Sequence, residues 1–269
     1  MKKHNQQELS NFSRDVGIHQ NSNVNLNLIP KNAFKGLVLI ASVLLFIHLI
    51  LSLLVSIYLD RIVWLNYVDS LLNMNSERNI PSFFSVLVLT ACSGVLAFIY
   101  KAVNPENKKQ WLFLSLIFLF LAFDEAMEIH EKVNVVLKNA ITSNSAALTF
   151  PWVLPYLVFF AIVAIYLAPF ILKLPKYLFR LIVLSGFVFV TGAAGLEIVE
   201  GIVAQNFGEY SFLNLALMGI EEYMEIVGVL IFIYALLTYI SYNSNSITIN
   251  LKKRSVSKTT TYSQQPEIA

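Results

Sequence analysis

Nine of the seventeen acidic residues fall in stretches that otherwise read as membrane-spanning helices. They are Asp124, Glu125, Glu128 and Glu131, then Glu197 and Glu200, then Glu221, Glu222 and Glu225. Most have no Lys or Arg beside them. A carboxylate near the centre of a membrane helix costs about 2.5–3.5 kcal/mol. Asp124, Glu125, Glu128, Glu221, Glu222 and Glu225 read as lying deeper than the interface. Together their cost rivals the stability of an ordinary domain, about 5–15 kcal/mol. Bound cations, bound protons or a water-filled cavity must offset it.

Spacing says where these groups point. At about 100° per residue, Asp124, Glu128 and Glu131 share one helical stripe, with Glu125 on its flank. Glu197 and Glu200 form an i,i+3 pair. Asn214, Glu221, Glu225 and Gly228 line one face of a later helix, with Glu222 at its edge. Acidic stripes turn away from lipid, so they are expected to face one another. Carboxylates so gathered repel unless positive charge or shared protons intervene.

The chemistry this favours is a carboxylate-rich site for a divalent metal ion. Oxygen ligands suit Mg, Mn, Ca or Fe, and zinc fits less well with so few nitrogens. Asp124, Glu128, Glu197, Glu221 and Glu225 are the expected metal ligands. His130 would join them only if its helix distorts, because on a continuous helix it points away from the Asp124 stripe. Glu131, Glu200 and Glu222 are the candidate catalytic bases. Such a site could activate water against an ester, amide or phosphate of a lipid-like substrate. The paired Glu-x-x-His motifs of di-iron bundles are missing. Two other readings compete. One is a proton or small-cation transporter, although only Ser82, Ser85 and Ser93 hint at a path onward. The other is a non-enzymatic scaffold held by protonated carboxyl groups. His48, on a face with Ser52 and Ser56, reads as a hydrogen bond to a neighbouring helix.

Six apolar segments must position these residues, each near the 20 residues a span requires. They run from about residue 36 to 59, 81 to 103, 111 to 131, 152 to 172, 177 to 204 and 212 to 240. With 57% hydrophobic and 13% charged residues, this is an all-α polytopic membrane bundle. Residues 1–34 and 242–269 read as polar, disordered tails flanking a membrane domain of 35–241. Fifteen basic residues lie in the tails and the second and fourth loops, and four in the alternate loops. Both termini are therefore expected in the cytoplasm, with the acids in the outer half of the bundle. Trp64, Tyr67, Val68, Leu71 and Leu72 suggest a short interfacial helix in the first outer loop. Thr191 and Gly195 form a small-xxx-small pair that would allow close packing beside Glu197. Cys92 is the one cysteine, which rules out an intrachain disulfide. No Gly-rich phosphate loop, serine elbow or nucleic-acid motif is present. The expected partners are membrane lipids.

Three motifs carry a resemblance. They are Asp124-Glu125-x-x-Glu128-x-His130-Glu131, Gly195-Leu196-Glu197-x-x-Glu200 and Glu221-Glu222-x-x-Glu225-x-x-Gly228, with Ile80-Pro81-Ser82-Phe83-Phe84-Ser85 upstream. Over residues 35–240 the chain resembles a family of uncharacterised bacterial multi-pass membrane proteins. That resemblance implies a location in the bacterial inner membrane and supplies no activity.

Overall fold

The computed structural model describes residues 29–58, 62–102, 108–140 and 151–243. Most of both expected tails lies outside these residues. The described residues form helices and short connections, with no strand among them. In chain order the helices are α1 (Pro30–Tyr58), α2 (Val63–Leu72), α3 (Ile80–Ala102), α4 (Lys108–Met127), α5 (Ile129–Ala140), α6 (Val153–Ile171), α7 (Lys176–Val190), α8 (Glu197–Phe207) and α9 (Phe212–Asn243). A π-helical segment, Thr191–Leu196, joins α7 to α8 without a break. Six helical rods are long and apolar enough to cross a membrane: α1, α3, α4, α6, α7 through α8, and α9. The chain is therefore a six-helix integral membrane bundle.

α9 is the central post. It packs against α1, α3, α7, α8 and the π-helical segment, while α3 pairs with α4. Glycines permit the closest approaches. At Gly228 an added Cβ would lie 2.9 Å from the backbone nitrogen of Phe189, and at Gly192 it would lie 3.0 Å from the carbonyl oxygen of Glu221. The expected Thr191–Gly195 pair does not do this work. Gly195 is exposed, because the π-helical turn rotates Gly192 onto α9 instead.

The end of the bundle remote from the acids is a dry apolar core. Leu96, Ile99, Leu230 and Leu236 are fully buried there. Trp111 stacks on Tyr239 and meets Phe170 edge-on, with centroids 5.5 and 5.0 Å apart. Ser93 and Ser115 satisfy each other, each hydroxyl donating to the other's backbone carbonyl at 2.8 and 3.0 Å. This is helix-to-helix glue between α3 and α4 rather than a polar path.

His48 is likewise structural. Its Nδ1 accepts the backbone N–H of Met74 at 3.1 Å, which places the ring proton on Nε2. Nε2 donates to the carbonyl of Leu215 at 2.8 Å. One neutral imidazole thus ties α1, the loop after α2, and α9 together. α2 occupies the stretch expected to hold a short helix and buries Leu65 against Leu51 and Val55 of α1.

Candidate metal centre

The third apolar segment does not run unbroken to Glu131, as its pattern suggests. α4 ends at Met127, and Glu128 adopts the left-handed conformation, φ 53°. That region is costly for a residue with a Cβ. Three contacts hold the break. Glu128 pairs with Arg78 at 2.6 Å, and Arg78 is itself left-handed at φ 59°. The Lys132 ammonium donates to the free carbonyl of Met127 at the end of α4. Asp124 caps α5, its Oδ1 accepting the backbone N–H of His130 at 3.0 Å, a position that favours an anion.

The break swings His130 back onto Asp124, with Nδ1 3.4 Å from Oδ2. Tyr156, on the first turns of α6, donates its hydroxyl to Asp124 Oδ1 at 2.9 Å. Both oxygens of this buried carboxylate are therefore occupied by donors. Burial alone would lower the pKa of His130, but the hydrogen bond and charge of Asp124 outweigh it and push it up to about 9. Trp152 lies 5.1 Å from the His130 ring and donates its indole N–H to Glu197 Oε1 at 3.1 Å.

Glu197 and Glu200 open α8, directly after the π-helical turn, a feature frequent at functional sites. Glu221 faces them from α9. Oxygens of Glu197, Glu200 and Glu221 all lie within 4.8 Å of one another. The three residues are 7%, 2% and 5% exposed. Glu200 Oε1 is buried and has no hydrogen-bond partner. A buried, unpartnered carboxylate oxygen is expensive. Three carboxylates at this distance cannot all stay ionised without a cation or protons among them. The all-oxygen donor set suits Mg²⁺, Mn²⁺ or Ca²⁺.

These groups open onto one cavity of about 330 Å³. Asp124, Glu125, Glu131, Glu197, Glu200, Glu221, Glu222 and Glu225 line it, together with His130, Trp152 and Tyr156. Eight of the nine acids singled out by spacing therefore meet in one place. Glu128 does not line it, because its side chain is turned to Arg78. Glu131 does, but it is exposed and reaches the cavity from α5 rather than along the Asp124 stripe. Glu222 and Glu225 are half-buried in the wall and stand outside the three-carboxylate group.

Sequence spacing alone missed Glu77, Trp152 and Tyr156. Glu77 reaches the cavity from the loop before α3, where Ser82 donates to it at 3.4 Å. Burial, then the neighbouring acids, raise its pKa. Its polar loop disguised it. Trp152 and Tyr156 left a readable signal: two aromatics with polar tips at i,i+4, opening a span near the acid layer.

A family model described as a Domain of unknown function (DUF8692) matches residues 33–240. The chain belongs to this family. The matched region runs from α1 into α9 and contains every residue of the cavity. No curated protein and no solved structure matches the chain.

Proposed function

We propose that this protein binds a divalent cation through Glu197, Glu200 and Glu221 and uses it for hydrolysis of a membrane lipid or a lipid-like substrate. The observation that carries the reading is the buried carboxylate trio, with a Glu200 oxygen that nothing else satisfies. A bound cation of this class supplies Lewis-acid polarisation of an ester, amide or phosphoryl group and activation of water. The chain's own residues then have distinct tasks. Asp124 is a positioning residue, since its oxygens are occupied by His130 and Tyr156. His130, held as the imidazolium, donates a proton from Nε2 to the leaving group. Glu222 takes the proton of the attacking water. Glu225 lines the same wall.

A transport role is disfavoured by the floor of the cavity. Below the acids, Leu89, Ile226 and Val229 close it, and the dry core follows. The buried hydroxyls beyond it are spent on helix-to-helix hydrogen bonds, Ser93 with Ser115 and Ser185 with the carbonyl of Gly228. The basic-residue pattern supports a cavity on the outer side of the membrane with both termini cytoplasmic, and the family resemblance supports a bacterial inner membrane.

The test is elemental analysis of purified protein alongside Glu200→Gln, Glu221→Gln and Glu128→Gln. We expect a stoichiometric metal that both cluster variants lose and Glu128→Gln keeps. Even outer-shell changes cost about 10–100-fold in metal affinity, so loss of a ligand should exceed that. A folded, metal-free wild type would remove the reading.

A further inference from the structure

We infer that the apolar cleft beneath the acid cavity, between α4, α6, α7 and α9, holds one acyl chain of a lipid whose headgroup lies at the carboxylates. This deepens the proposed function and rests on it for the identity of the headgroup site. The cleft has a volume of about 160 Å³ and an entirely apolar lining. It adjoins the acid cavity and shares a wall with it: Leu121, Phe160, Phe189 and Val229 line both. Phe160 and Phe189 meet edge-on across this junction, centroids 6.1 Å apart.

The depth fits one tail. Leu114, at its inner end, is ten residues before Asp124, about 15 Å along the helix. That is half of a hydrocarbon layer about 30 Å thick, the reach of a single leaflet. The cleft opens sideways because α6 approaches the bundle backbone chiefly at the π-helical segment. It also opens because Gly186 of α7 presents no side chain, and a Cβ there would meet nothing within 4 Å. A lipid could therefore enter from the bilayer without crossing water.

The energetics assign the cleft a specific task. A tail moving from bilayer to cleft exchanges one hydrocarbon environment for another, so it gains little affinity. What it gains is orientation: the bond next to the headgroup is held at the acid cavity. Affinity must then come from the headgroup and the carboxylate site.

The full-length protein would be reconstituted in vesicles of phosphatidylethanolamine and phosphatidylglycerol. The probe is a phosphatidylethanolamine with a diazirine midway along one acyl chain, level with the middle of the cleft, and adducts are mapped by mass spectrometry. Gly186→Leu lines only the cleft and fills open space in a helix that tolerates it. Ile182→Trp is a second plug at another turn. We expect adducts concentrated on Phe160, Ile182 and Phe189 in the wild type. Adducts at Phe160 and Phe189 should fall several-fold in either plugged variant, while labelling of exposed Phe187 and the metal content stay constant. Labelling of Phe160 and Phe189 no stronger than that of Phe187, or unchanged by both plugs, would overturn the cleft. A metal-free wild type that still shows plug-sensitive labelling would uphold the cleft and refute the metal site alone.

Discussion

Asp124 and His130 show how a single pair can settle a role that spacing left open. Read as a stripe residue, Asp124 is a metal ligand. In the fold, His130 and Tyr156 occupy its oxygens, which supports a positioning role. This has a pH consequence. The ordinary imidazole value is about 6.5, and in the fold His130 is pushed up to about 9. The stability from its charged form is fully present below about pH 6.5 and is lost as pH rises through about 9. In metal-free protein, nitrogen-labelled histidine spectra should therefore show one ring titrating near 9. In Asp124→Asn the burial remains and the carboxylate is gone, leaving Glu225 and Glu125 as the neighbouring acids, so that titration should fall clearly below about 9. An unmoved titration in the variant would show that Asp124 does not hold the charge.

At the scale of elements, the decisive feature is the break between α4 and α5. Glu128 and Arg78 both sit in the left-handed region and clasp each other. Arg78 is exposed, so the ion pair is worth only about 0–1 kcal/mol, while left-handed backbone costs a residue with a Cβ about 1–2 kcal/mol. Glu128→Gly should therefore leave stability nearly unchanged, relieving strain as it loses the pair. Glu128→Val keeps a branched Cβ in the wrong region and loses the pair, and should cost about 2 kcal/mol or more. Denaturation midpoints in mixed detergent would measure both. If glycine proves as harmful as valine, the ion pair rather than the backbone governs the break. The π-helical turn acts similarly on the next rod, bringing Gly192 against α9 and Glu197 and Glu200 towards Glu221.

Across the whole molecule, the acids gather at one end of a bundle whose other end is dry. Charge in the loops predicts how this asymmetry lies in the membrane, with the cavity expected to face outward. Single cysteines at Asn75 and Lys173, both exposed loop positions, test it. The natural Cys92 is fully buried and supplies little background. In intact cells a membrane-impermeant maleimide should label Asn75→Cys and spare Lys173→Cys until the membrane is opened. The reverse pattern would turn the cavity to the cytoplasm.

Hydropathy by itself determined the six spans, because a backbone in hydrocarbon must be helical and about 20 apolar residues must cross it. Helical periodicity also determined that acids from three of those spans must meet, since lipid cannot solvate them. What periodicity assumes is an unbroken helix, and tertiary contacts decided where that fails. Arg78 and Asp124 stabilise the break at Glu128, which withdraws Glu128 from the site and brings His130 in. Glu77, Trp152 and Tyr156 arrive from loops and another helix, over sequence distances that no local pattern encodes. The tertiary structure alone selected Glu197, Glu200 and Glu221 as the trio, because oxygen-to-oxygen distance depends on how α8 and α9 pack, and Gly192 sets that packing.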